Sequence, residues 1–117
     1  FGVVDKIPKF ISVEAEGFES LKDRNRKKSK LAKGIEIINP PRKEQMEDVL
    51  NYTDGLSTSV NDEKISDSQS ELADLGFLVE NTSAAAYAAF KELQDDDRFE
   101  DGEKVLIPLT GSGLKSF

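Results

Sequence analysis

Short apolar runs alternate with stretches of helix-like sequence along this chain of 117 residues. The apolar runs, which are predicted to be strands, are residues 9–14, 35–38, 56–60, 77–79 and 105–107. Parallel strands must be joined by long crossover connections, which are usually helices, so regular alternation is typical of a parallel sheet covered by helices. The sequence therefore predicts an α/β fold: a layered α/β/α arrangement with a largely parallel sheet.

Three of the intervening stretches are predicted to be helices with an apolar side. Met46, Val49 and Leu50 form the apolar side of the first helix, and Ile65, Leu72 and Leu75 form that of the second. The alanine-rich body of the third helix, residues 84–89, is expected to let it approach its neighbours closely. We expect Asn61 or Asp62 to cap the second helix, which then ends at Gly76. Thr82 or Ser83 is expected to cap the third helix.

The run KVLIPLTGSGLK, residues 104–115, contains the candidate binding residue. Its apolar part, residues 105–107, predicts a strand that is buried on both faces. Thr110 follows this strand, and Gly111 and Gly113 allow the backbone either to turn tightly or to take a positive φ. Because open α/β sheets bind ligands at the carboxyl ends of their strands, the Thr110 hydroxyl is either a ligand contact or simply the cap of a turn.

The residue types that are missing limit the chemistry. The sequence has no Cys and no His, which excludes a disulfide, a thiolate nucleophile and a histidine general base. Any reaction would rest on carboxylates, hydroxyls, lysines or a cofactor. The net charge of −7 opposes nonspecific binding of nucleic acid, and no apolar run approaches the roughly 20 residues of a membrane span. We therefore expect a cytoplasmic protein that binds neither nucleic acid nor membrane.

The length is that of one domain. The composition, 37% hydrophobic and 33% charged, is polar for a self-sufficient domain of this size, and the chain begins with Phe1 rather than Met. We expect residues 1–117 to be a single domain or a fragment of a longer polypeptide.

Two charged clusters and one glutamate have alternative interpretations. The run from Lys22 to Lys33 holds seven basic residues and one acid, but without interleaved aromatic residues a solvated helix or loop is favoured over a phosphate or nucleic-acid site. The acids between Asp95 and Glu103 lack the spacing of an EF-hand loop, so a solvated connection is favoured over a cation site. Glu80 could be catalytic, although a buried carboxylate that orients loop amides is the favoured interpretation.

Five segments in a fixed order carry a family resemblance. They are KFISVEAEG (9–17), AKGIEIINPPR (32–42), VNDEKI (60–65), GFLVENTSAAAYAAF (76–90) and VLIPLTGSGLK (105–115). With these segments in this order, the chain resembles the C-terminal part of enzymes of the threonine synthase family. These are pyridoxal-phosphate enzymes of fold type II, which is also called the tryptophan synthase β-like superfamily. The resemblance covers residues 9–116, and the ending TGSGLK is its most specific segment.

The resemblance implies a complete enzyme that converts O-phosphohomoserine and water into threonine and phosphate with pyridoxal phosphate. It also implies that the Thr110 side chain forms a hydrogen bond with the pyridine nitrogen of the cofactor. The family's Schiff-base lysine and Gly-rich phosphate loop belong to an N-terminal part that has no match in these residues. We therefore expect this chain alone to be inactive and not to bind the cofactor. Its expected partners are the remainder of the parent enzyme, a small amino-acid substrate and a second copy in a possible homodimer.

Two departures from the family pattern keep alternatives open. The family often has His where this chain has Ser112, and Pro where it has Asn81. Other fold type II enzymes, such as a cysteate synthase or a hydroxy-amino-acid lyase, share much of this ending. A noncatalytic α/β interaction module that has lost the cofactor is the alternative outside enzymes.

Overall fold

The computed structural model of the protein describes residues 5–16, 35 and 40–116. In chain order the elements are β1 (Ile11–Ala15), α1 (Lys43–Tyr52), β2 (Leu56–Val60), α2 (Asp62–Asp74), α3 (Asn81–Asp95) and a short 3₁₀ helix (Gly113–Ser116). The two strands pair in parallel, and α1 lies between them in sequence. The described residues thus confirm the predicted α/β fold class, with a two-stranded parallel sheet and helices.

The sheet has one apolar face and one polar face. The register pairs Ala15 with Val60, and both residues are buried in the hydrophobic core. On the polar face, the Ser57 hydroxyl donates a hydrogen bond of 2.8 Å to the carboxylate of Glu14, which is also buried. Since successive side chains of a strand point to opposite faces, this register places the small apolar residues toward α3.

The end of α1 is fastened to the beginning of β1. The buried Thr53 hydroxyl accepts the Phe10 N–H at 3.3 Å and donates to the Val49 carbonyl at 2.8 Å. A Cβ on Gly55 would overlap the Phe10 carbonyl oxygen, so only glycine fits where the chain passes from α1 into β2. The crossover between the two strands is therefore held at its second half by a hydroxyl and a close backbone approach.

The alanine-rich face of α3 forms the centre of the core. Its buried members, each at most 2% exposed, are Ala84, Ala85, Ala88 and Ala89. They pack with Ile65 and Leu72 of α2 and with the apolar face of the sheet. Methyl side chains allow close approach of neighbouring elements, so the prediction made from the alanine-rich sequence is confirmed.

Two ion pairs also join α2 to α3. Lys64 pairs with Glu92, and Lys91 pairs with Glu71, which also accepts a hydrogen bond of 3.3 Å from the Tyr87 hydroxyl. The hydrogen bond from Lys91 lowers the pKa of the Glu71 carboxyl and raises the pKa of the Lys91 ammonium. All of these side chains reach solvent, so the pairs orient the two helices more than they stabilise them.

The helix ends agree with the sequence only in part. The predicted cap of α2 is confirmed, because the Asn61 carboxamide oxygen accepts a backbone N–H of the first turn at 2.9 Å. The predicted cap of α3 is wrong: Glu80, rather than Thr82 or Ser83, precedes the helix. The apolar faces are also formed only in part: Leu75 follows the last turn of α2 and is 65% exposed. In α1 no residue is buried, and Val49 of its apolar stripe is 43% exposed.

Two predicted strands are not formed in the part of the chain that the structure describes. Residues 105–107 are not paired with a strand and Leu106 is 91% exposed, so the prediction of a strand buried on both faces is wrong. Residues 77–79 contribute only one isolated antiparallel bridge, between Val79 and Ser112. A strand requires a neighbour for its N–H and C=O groups, and the described sheet ends at β1 and β2.

Other sequence expectations fall outside the described residues. These are most of the apolar run 35–38 and the basic run from Lys22 to Lys33. Of the run 35–38, Ile35 is described, and it packs against the core. None of the helices in the described ranges is long and apolar enough to cross a membrane.

Replacing Ala85 by leucine tests the close packing of α3. Ala85 is 1% exposed, so we expect Ala85→Leu to lower the free energy of unfolding by about 1–3 kcal/mol through overpacking. Ala73→Leu, the same change at an exposed position of α2, is the control and should change it by less than about 0.5 kcal/mol. Urea unfolding measures both, and equal losses would contradict the packing described here.

Candidate functional site

The TGSG turn, residues 110–113, lies against the start of α3. Two backbone hydrogen bonds join the turn to the chain that leads into this helix. The Gly113 N–H donates to the Leu78 carbonyl at 3.1 Å and the Glu80 N–H donates to the Gly111 carbonyl at 3.1 Å, and together these two bonds make the antiparallel bridge between Val79 and Ser112. The turn is therefore held by the chain that leads into α3, although the two segments are far apart in sequence.

The Ser83 side chain makes a third hydrogen bond with the TGSG turn. Its Oγ accepts the Gly111 N–H at 2.8 Å, and the residue is only 5% exposed. The sequence pattern identified this serine only as a possible helix cap. Its true partner is 28 residues away, and the sole signal in the sequence is the general tendency of serine to bond to backbone groups.

Gly111 is required for close approach. The positive φ that was one of the two expectations for this turn is not found at Gly111. A Cβ on Gly111 would overlap the carboxylate end of Glu80. The glycine therefore leaves room for the Glu80 side chain to lie over the turn.

The Glu80 carboxylate differs from its favoured interpretation. The residue is half-buried rather than buried, and its side chain forms no capping hydrogen bond with α3. The two groups that bond to the Gly111 peptide are the Ser83 hydroxyl and the Glu80 backbone N–H. The orienting role that was expected of a carboxylate is thus performed by a hydroxyl and a main-chain donor.

Thr110 is exposed at the first position of the TGSG turn. Its hydroxyl forms no hydrogen bond with another described residue, and the hydrogen bonds that hold the turn come from α3 and the chain before it. The neighbouring Leu109 is half-buried and packs against the core, which anchors the chain on the other side of Thr110. The arrangement gives an exposed threonine on a fixed backbone, while its contact with a cofactor stays a prediction.

The acids between Asp95 and Glu103 are not placed to hold a metal ion. All six of them are exposed, from Asp95 to Glu103. Within the described ranges, no group of three or more Asp, Glu, His or Cys residues is placed to hold a metal ion. Asp97, which has a positive φ of 53°, belongs to the turn that follows α3.

Comparison with known proteins gives a consistent assignment. The sequence matches the family described as pyridoxal-phosphate dependent enzyme over residues 3–111. It is 30% identical over 125 residues to a threonine synthase of Methanocaldococcus jannaschii and 30% identical over 125 residues to one of Methanosarcina acetivorans. Each comparison covers 97% of this chain but 31% of the relative. The chain therefore spans less than a third of the length of these curated relatives, and the resemblance found in the sequence is confirmed.

A double-mutant cycle tests the contact between Gly111 and Glu80. We expect Gly111→Ala to destabilise the protein because the new methyl group must displace the Glu80 carboxylate. In a Glu80→Ala background the methyl group has room, so the two changes should show a coupling energy of about 0.5–3 kcal/mol in urea unfolding. A cost of Gly111→Ala that is the same in both backgrounds would contradict this placement of Glu80.

Proposed function

The chain belongs to the pyridoxal-phosphate dependent enzyme family, and from this premise we propose that it supplies Thr110 to the cofactor site of a threonine synthase. The observation that carries the proposal is the exposed Thr110 on a turn held by three hydrogen bonds with α3 and the chain before it. A binding group must be held in place without its own polar atoms being used for that purpose. Thr110 meets this condition, because Ser83 and Glu80 hold the backbone beside it.

The chemistry of a hydroxyl fits a pyridine nitrogen. A threonine Oγ can donate its hydrogen to the unprotonated nitrogen or accept one from the protonated form. It carries no negative charge, however, so it does not raise the pKa of that nitrogen as a carboxylate would. When bound, the cofactor supplies the electron-withdrawing ring on which the reaction depends, and Thr110 orients this ring and sets the polarity at its nitrogen.

The proposed substrate is O-phosphohomoserine, which reacts with water to give threonine and phosphate. Support comes from the two threonine synthases, which resemble this chain over 97% of its length. Since the chain spans 31% of these relatives, the Schiff-base lysine and the phosphate loop are proposed to lie in the remainder of the enzyme. We propose accordingly that this chain alone neither binds the cofactor nor catalyses the reaction, and that the complete enzyme is cytoplasmic.

Substrate profiling of the complete enzyme distinguishes the proposed reaction from its alternatives. Release of inorganic phosphate from O-phosphohomoserine, together with formation of threonine, is expected of a threonine synthase. A cysteate synthase or a hydroxy-amino-acid lyase would leave this substrate unchanged. A noncatalytic interaction module would show neither turnover nor the visible absorption of a bound cofactor.

Thr110→Val in the complete enzyme tests the proposed role of the hydroxyl. Valine keeps the shape of threonine but cannot form the hydrogen bond, so kcat for phosphate release should fall by roughly tenfold or more, which corresponds to about 1.4 kcal/mol. Thr110→Ser retains the hydroxyl and is the matched control, with an expected loss of less than about threefold. Full activity and an unchanged cofactor spectrum in Thr110→Val would contradict the proposal.

A further inference from the structure

We propose that Ser83 is a positioning residue, which sets the direction of the Thr110 hydroxyl through its hydrogen bond to the Gly111 N–H. The inference rests on the proposed function of Thr110. It adds a residue on a different element, in the first turn of α3, whose hydroxyl contacts the backbone beside Thr110.

The geometry of the peptide group links Ser83 to Thr110. The Gly111 N–H belongs to the planar peptide that begins at the Thr110 carbonyl carbon, so the direction of this N–H defines the rotation of the backbone next to Thr110. Ser83 Oγ accepts the N–H at 2.8 Å from a side chain that is 5% exposed. A buried short side chain has little freedom to move, and it therefore fixes the peptide plane.

A second hydrogen bond fixes the next peptide. The Glu80 N–H donates to the Gly111 carbonyl at 3.1 Å, so both sides of Gly111 are bound to the beginning of α3. This second bond uses the backbone and survives any side-chain substitution. Of these two hydrogen bonds, only the one from Ser83 can be removed by a side-chain substitution. The orientation of the Thr110–Gly111 peptide therefore depends on having a hydroxyl at position 83.

Loss of the Ser83 hydroxyl leaves a buried donor without its acceptor. Gly111 is buried, so its N–H would have to rotate toward solvent or toward a water molecule to recover a partner. Either change rotates the adjoining Thr110 and moves its hydroxyl away from its position. The helix itself should remain, because alanine is a better helix former than serine.

The experiment compares Ser83→Ala with Ser68→Ala in the complete, cofactor-loaded enzyme. Ser68 is a matched control, since it is also a buried serine, 2% exposed, but lies on α2. Hydrogen exchange of the Gly111 amide reports on the turn, and the visible absorption maximum of the bound cofactor reports on its pyridine nitrogen. We expect Ser83→Ala to speed exchange at Gly111 by about tenfold and to move the absorption maximum in the direction that Thr110→Val moves it. Ser68→Ala should do neither.

A double variant shows whether Ser83 acts through Thr110. If it does, Ser83→Ala should cause no further spectral change once Thr110→Val is present. Equal spectral changes in both backgrounds, or effects of Ser83→Ala that match those of Ser68→Ala, would overturn the inference and leave the proposed function intact. A Thr110→Val enzyme with unchanged spectrum and activity would instead overturn the proposed function, and the inference with it.

Discussion

Close packing of the alanine face of α3 is the constraint on which the rest of the structure depends. Ala84, Ala85, Ala88 and Ala89 are all buried, and α3 contacts α2 as well as both strands. Small side chains let α3 lie in close contact with its neighbours, and any larger group on this face would push them apart. This close contact leaves the position of the helix little freedom. The start of α3 is consequently a fixed reference point, and the TGSG turn is bound to it through Ser83 and Glu80. Core packing and the candidate site thus meet in one helix.

The sequence predicts those elements whose signals are local. Leu56–Val60 is a strand as expected, and the Asn61 cap begins α2, because β-branched residues and a capping side chain act on their own neighbours. The strand expected at residues 105–107 depends on partners elsewhere, and the described sheet provides none. The Ser83 contact was not predicted for a similar reason: it joins residues 28 positions apart, and nothing in the local pattern relates them. Thr110 was identified from a family resemblance and not from the spacing of residues alone.

The exposed apolar residues agree with a site that is shared with another part of an enzyme. Leu106 is 91% exposed and Leu114 is 71% exposed, on either side of Thr110. Apolar side chains next to a binding group are usually covered, since their contact with water is unfavourable. The chain spans 31% of the threonine synthases that it resembles, so the proposed remainder is large enough to cover them. In this view α3 holds the Thr110 hydroxyl in place, and the proposed remainder encloses the site.

A crystal structure of the complete, cofactor-loaded enzyme is the most direct test of this account. It should show Thr110 Oγ within hydrogen-bond distance, about 3.2 Å or less, of the pyridine nitrogen, with the Gly111 N–H still bound to Ser83. A pyridine nitrogen held by another residue, with Thr110 facing away from the cofactor, would contradict it.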